Sequence, residues 1–179
     1  SRALRSLMRQ DPDIILVGET RDKETAQTAM EAALTGHMVF TTLHANDTAT
    51  AITRLAEMGC PPYLVGSSVI GVMAQRLIRK VCPKCCKTVK ADPNKHSSYI
   101  KHGINEFLEA NVIDFKDTNI DNESVCKFCN GTGYKGRLGI YEVMRVNDPI
   151  RELIMKSSTA DVIREYSYKN GVKSLLMYG

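Results

Sequence analysis

The sequence predicts an α/β fold with a metal-stapled subdomain and C-terminal helices, and three observations carry the prediction. Two short apolar strand patterns flank one amphipathic helix, the signature of a parallel βαβ unit. Two CxxC pairs follow in a polar stretch, and helical patterning with cap residues resumes after them. The 179 residues are 43% hydrophobic, enough to fill a core, which excludes disorder as the dominant state. A charged fraction of 25% and a formal net charge of +4 fall well short of the cationic loading of a nucleic-acid-coating protein. No apolar run reaches the roughly 18 residues of a membrane-spanning helix, and SRALRSLMRQDPD lacks the regions of a signal peptide. A cytosolic, reducing environment is the working expectation.

Leu4, Leu7 and Met8 share one helical face, with Arg2, Arg5 and Arg9 largely on another, until Asp11-Pro12-Asp13 breaks the helix. Ile14 to Val17 is a continuous aliphatic run, expected as a strand buried on both faces. Asp22 caps a helix bearing Ala26, Ala29, Met30, Ala33 and Leu34, which Gly36 closes in a left-handed conformation. Met38 to Leu43 is the second strand. The carboxyl ends of the two strands share one rim, where Glu19 and His44 are delivered side by side. Asn46 to Thr48 caps a further helix through Ile52, Leu55 and Met58 to Gly59. After Pro61-Pro62, the apolar stretch Leu64 to Ile78 reads as an imperfect helix or a broken pair, with Arg76, Arg79 and Lys80 in its last turn. The polar segment that follows has weak helical patterning around Tyr99 to Ala110. Leu138 to Met144 is expected as a strand and Asp148 to Lys156 as a helix, and Ser158 or Thr159 caps a final helix stopping near Gly171. The expected divisions are residues 1–80, 81–140 and 141–179.

Cys82-Pro-Lys-Cys85 and Cys126-Lys-Phe-Cys129 each place two thiolates on one ion, and together they complete the tetrahedral shell that Zn²⁺ prefers. Four protein thiolates make a closed, structural site with no open position to activate water. The loop between the pairs is longer than in compact zinc ribbons, but closure entropy grows slowly with length. Cys86 competes with Cys85 as a ligand, and the CxxC spacing favours Cys85. Cys60 is a buried or bystander thiol. The string from Cys126 to Gly133 also resembles one zinc repeat of the J-protein chaperones, a family that needs several copies where this chain has one.

An aliphatic run closed by Gly18-Glu19 has the shape of a Walker B strand, which holds a carboxylate beside nucleotide-bound Mg²⁺; in many such enzymes the acid is Asp. With LRSLMRQDPDIILVGETRD, TGHMVFTTLHANDT, GVMAQRLIRKVCPKC and CKFCNGTGYKGRLGIYEV in order, the chain resembles the hexameric traffic ATPases that power type II secretion and type IV pilus assembly. The resemblance spans most of the chain outside Lys87 to Val125. It implies a partial RecA-like P-loop NTPase core over residues 1–80, a tetracysteine zinc subdomain over 81–140 and a helical segment over 141–179. It makes Glu19 the Walker B acid, which would hold the water shell of Mg²⁺ and orient the attacking water. His37 and His44 become the histidine box. His44 would reach the γ-phosphate of ATP, whereas His37, just after Gly36, reads more as an orienting or structural residue. Arg5 and Arg9, four residues apart, match paired arginines that stabilise transferring phosphate or a subunit contact. Arg21 is a family position at the nucleotide site, with a salt bridge to a nearby acid as its plainer reading.

No GxxxxGK[ST] loop occurs in these residues, nor the acidic segment that lies between that loop and Walker B in the family. The expectation is a C-terminal piece of a longer motor that alone neither binds nor hydrolyses ATP appreciably. The resemblance implies a homo-hexamer working on an inner-membrane platform protein and its secretion or pilus components. It places the protein in the cytoplasm, at the inner face of the membrane through those partners, without a transmembrane segment. The two CxxC pairs favour assembly or secretion over retraction. The competing reading is a zinc-ribbon module binding nucleic acid or protein without catalysis. Lys80, Lys84, Lys87 and Lys90 supply charge for it, but Asp114, Asp117, Asp121 and Glu123 offset them and few aromatics are placed to stack, so no direct nucleic-acid partner is expected.

Overall fold

The computed structural model describes residues 2–101, 103–113 and 125–178. Asp114, Asp117, Asp121 and Glu123 lie outside the described residues. The chain divides into two compact units: residues 1–74 with 141–175, and residues 75–140 with 176–179. The C-terminal helices thus belong with the first unit instead of standing as a region of their own.

In the first unit, α1 (Arg2–Leu7) tightens into a 3-10 turn at Met8–Gln10, and Asp11 leaves it in a left-handed conformation. Strands β1 (Ile14–Val17) and β2 (Met38–Thr41) pair in parallel with Ile14 opposite Met38 and Val17 opposite Thr41. The crossover is α2 (Lys23–Leu34). Asp22 caps it by accepting from the Thr25 N–H at 2.8 Å, and Gly36 takes a φ of 102° just beyond its end. Leu4, Ile15, Ala29 and Ala32 form the core beneath this unit. Burial of β1 on both faces is overturned: Ile15 is 3% exposed, but Ile14 is 64% and Leu16 76% exposed. The helices cover one face of the β1–β2 pair, and among the described residues the other face has no covering layer.

Helix α3 (Thr48–Glu57) takes its cap from Asp47. The stretch expected as a helix through Ile78 splits into α4 (Pro62–Ser68) and strand β3 (Gly71–Val81). Arg76, Arg79 and Lys80 therefore stand on a strand, not in a last helical turn. The reason is local: β-branched Val69, Ile70 and Val72 surround Gly71, burial alternates from Gly71 to Gln75, and β6 (Tyr134–Arg145) supplies the pairing. In the first unit Val146 N–H donates to Ile70 C=O at 3.0 Å; in the second, Cys82 N–H donates to Gly133 C=O at 2.8 Å. Helices α6 (Asp148–Met155) and α7 (Ala160–Lys169) follow, capped at Asn147 and Thr159; the Thr159 side chain makes no capping bond. The larger core gathers Met30, Ile52, Leu55, Leu64, Val65, Met144, Ile150, Ile154 and Ile163 from α2, α3, α4, β6, α6 and α7.

The second unit holds β4 (Lys87–Lys90) paired antiparallel with β5 (Glu106–Glu109), so that Lys87 faces Glu109 and Lys90 faces Glu106. The helical patterning expected over Tyr99 to Ala110 is replaced by the single turn α5 (Ser97–Ile100) and by β5. Its apolar positions serve a small aromatic cluster, in which Phe107 lies 4.9 Å from His96 and 5.3 Å from Tyr99 between ring centroids.

Candidate functional site

Parallel pairing carries the ends of β1 and β2 to one rim, and threonines stitch the loops beyond them. The Thr42 hydroxyl donates to Gly18 C=O at 2.6 Å, Thr20 N–H donates to Thr42 C=O at 2.9 Å, and the Thr20 and Thr41 hydroxyls meet at 2.8 Å. These bonds fix the backbone on both sides of Glu19. Its carboxylate accepts from Arg21 Nε at 2.6 Å through Oε2, and His44 Nε2 lies 2.7 Å from Oε1. The hydrogen bond from Arg21 holds the Glu19 carboxyl below the usual carboxylate range, against some desolvation, and His44 adds to the effect. Glu19 is therefore an anion at neutral pH. A carboxylate at such a rim suits a hydrated divalent cation that draws further ligands from water and phosphate. His44 is 90% exposed, so its imidazole is open to solvent beside Glu19.

The remaining candidates scatter. His37 precedes β2 whereas His44 follows it, so the two imidazoles sit at opposite ends of one strand. His37 Nδ1 lies 3.0 Å from Ala32 C=O and 3.2 Å from the Thr35 hydroxyl, closing the end of α2. Arg5, on α1, reaches Glu24 at 3.7 Å with both side chains exposed, a contact of small energetic weight. Arg9 falls in the 3-10 turn, whose tighter winding turns it off the Arg5 row that a continuous α-helix would give. Arg21 pairs with Glu19.

A third group has no counterpart in the sequence reading. Glu142 on β6 is 1% exposed and accepts at Oε1 from Thr48 N–H at 3.0 Å and from the Thr48 hydroxyl at 2.6 Å; the Tyr168 hydroxyl donates to Oε2 at 3.0 Å. Burial, with the bond to Glu142, pushes the Tyr168 hydroxyl up to about 12, so it remains a donor. Next to it, Asp47 accepts from Thr50 N–H at 2.7 Å and from Arg164 Nη2 at 2.8 Å, while Arg164 also pairs with Asp161. Partial burial opposes the charge on Asp47, but Thr50 and Arg164 outweigh it and hold its carboxyl below the ordinary range. Because the folded value is depressed, the Asp47 contribution is complete above the unfolded value and disappears as pH falls through the folded one. Asp47→Ala is expected to cost about 1–2 kcal/mol, from a lost helix cap and a half-buried ion pair, and urea unfolding at neutral pH measures it. The same substitution should cost progressively less in acid. The signal was present in the sequence: Glu142 stands in an alternating inward row with Met144 and Val146.

In the second unit the structure gathers Cys82, Cys85, Cys126 and Cys129, with all four Sγ atoms within 4.8 Å of one another. Cys82 and Cys126 are 3.9 Å apart at sulfur, and Cys85 and Cys129 3.7 Å. A tetrahedral Zn²⁺ with bonds near 2.3 Å requires edges of about 3.8 Å, so the residues present fit the ion. Cys86 is not one of the four. Turns close around each pair: Cys86 N–H donates to Cys82 C=O at 3.0 Å, and Gly131 N–H donates to Cys126 C=O at 3.4 Å. Gly133 has a φ of 73°, and a Cβ there would meet Val112 at 2.9 Å, so only glycine lets the strand leave the second turn. Burial resists charge on both Cys85 and Cys129. At Cys85 the neighbouring thiols add to that and its value rises; at Cys129 the Gly133 N–H and neighbouring thiols prevail and bring it down to about 7.

A family profile described as type II/IV secretion system protein matches residues 1–179. The chain is 46% identical over 175 residues to the type IV pilus assembly ATPase PilB of Thermus thermophilus, covering 98% of this chain and 19% of that protein. It is 44% identical over 154 residues to the type II secretion system ATPase E of Vibrio cholerae, covering 86% of this chain and 28% of that protein. Among solved structures, the pilus retraction motor PilT with bound ADP matches 97% of this chain and 40% of its own, at a TM-score of 0.54 and 26% identity. The chain thus spans less than a third of the length of these two curated relatives. With its profile match from end to end, this chain belongs to the type II/IV secretion system protein family.

Proposed function

We propose that this chain is part of a motor ATPase for type IV pilus assembly or type II secretion, with residues 1–80 contributing to a RecA-like nucleotide core. The observation that carries the reading is Glu19, an anionic carboxylate at a parallel-sheet rim, held by Arg21 and faced by His44. Glu19 would hold the water shell of the nucleotide's Mg²⁺ and orient the attacking water; the ion supplies charge neutralisation at the phosphates. His44, exposed beside it, would donate to the γ-phosphate as charge develops there. Arg21 keeps Glu19 ionised. Arg5 and Arg9 would serve a phosphate or a neighbouring subunit, and His37 the end of α2. Cys82, Cys85, Cys126 and Cys129 would hold a structural Zn²⁺, whose bonds would hold together a unit with little other core among its described residues. Homologues at 40–46% identity named for assembly or secretion support that branch over retraction. Ring assembly as a hexamer, work on a membrane platform protein and a cytoplasmic location at the inner membrane face belong to the same proposal. No helix among the described residues is long and apolar enough to cross a membrane.

Phosphate release by the full-length protein with Mg²⁺-ATP tests the activity, and its mass in solution tests the ring. The expected result is hydrolysis at the order of 1 per second or faster by a six-subunit species. A monomer with no phosphate release above buffer would reject the proposal.

A further inference from the structure

We infer that Glu142, Arg164 and Tyr168 are positioning residues, forming a clamp that sets the turn carrying His44. His44 is 90% exposed and faces Glu19 at 2.7 Å, so its own packing does little to define it; its backbone must. That backbone spans Leu43 to Asp47 between two anchors. At the near end, Thr42 is tied to Gly18 and Thr20 by bonds of 2.6 and 2.9 Å. At the far end Asp47 and Thr48 are gripped from two other elements: Arg164 on α7 holds the Asp47 carboxylate, and Glu142 on β6 takes both donors of Thr48. Tyr168, one turn beyond Arg164, fills the other oxygen of Glu142. Three donors on one buried carboxylate at the start of α3 are more than a helix cap needs, since Asp47 already caps α3 through Thr50. The surplus acceptor locks α3, and with it the end of the His44 turn, to β6 and α7.

The catalytic consequence rests on the proposed role of His44, but the clamp is tested apart from it. In the chain itself, ¹⁵N order parameters for Leu43 to Asp47 are expected near the rigid value of about 0.85 and should fall below about 0.6 in Arg164→Met and in Glu142→Leu, while Ile15 and Ala29 are unchanged. Glu142→Gln should restore most of the rigidity, because its amide oxygen still accepts from Thr48. Arg164→Met keeps the test alive if Glu142→Leu does not fold, since Arg164 lies outside the apolar core. Unchanged order parameters in folded Arg164→Met would overturn the clamp. In the full-length protein both variants should lower kcat about tenfold or more with KM unchanged, and add nothing in a His44→Ala background. An equal loss in that background would reduce the cluster to a stability element and overturn the positioning role. A loosened turn together with full turnover by His44→Ala would instead reject the role of His44 and leave the clamp standing.

Discussion

Replacing Cys82 or Cys126 by serine is expected to remove bound zinc completely, from one ion per chain to none, and to unfold residues 75–140. The argument is one of core size. Among the described residues of this unit, the buried apolar side chains are Cys82, Cys129 and Ile140, and two of those three belong to the thiol cluster. So small a core offers little hydrophobic burial, and on the proposed assignment metal binding, worth on the order of 10 kcal/mol or more for a structural zinc, would supply the folding energy of this unit. Three thiolates and a serine hydroxyl do not rebuild the site. The larger core of the first unit shares no residue with the cluster and should survive. Elemental analysis together with amide exchange of the two units measures both effects. Cys86→Ser, outside the cluster, should keep its zinc; zinc retained in Cys82→Ser, or a folded second unit in chelator-treated protein, would contradict the assignment.

The parts of the fold legible in the sequence were those written in local chemistry. Asp22 and Gly36 declared the start and stop of α2 through a cap and a positive φ, and both depend on neighbours within a few residues. What misled was periodicity without a partner in view. Val69 to Val81 carries apolar residues that fit a helix or a strand, and the choice was made by β6, some sixty residues downstream, which no local pattern contains. Likewise Ile14 to Val17 has the composition of a strand covered twice, but composition does not say what lies on its second face.

The candidate site divides in the same way. Glu19 and His44 could be placed together because parallel pairing brings the carboxyl ends of consecutive strands to one rim. The cysteine spacing likewise predicted a cluster, and the thiols meet at distances a tetrahedral ion requires. Arg5 and Arg9 were joined on the assumption of continuous α geometry, which the 3-10 turn removes. Glu142 went unassigned because its partners, Thr48 and Tyr168, are distant in sequence. An acid in an inward strand row says that a buried partner exists without saying where.

Glu19→Gln in the full-length protein is expected to lose ATP turnover by about 100-fold or more while nucleotide binding stays near wild type. The substitution keeps the volume and one acceptor oxygen but removes the charge that Arg21 stabilises and that would act on the metal's water shell. Ground-state affinity would come mainly from contacts to the nucleotide elsewhere, so the loss should appear in kcat and not in KM. The hydrogen bond from Arg21 holds the Glu19 carboxyl below its ordinary range, so wild-type turnover should not fall through loss of this carboxylate until pH drops below the ordinary range for glutamate. The most direct measurement is single-turnover hydrolysis at saturating Mg²⁺-ATP, taken beside nucleotide affinity on the same preparations of wild type and Glu19→Gln. Unchanged affinity with hydrolysis slowed about 100-fold is the predicted result; hydrolysis within twofold of wild type would contradict the assignment of this rim as the reacting site.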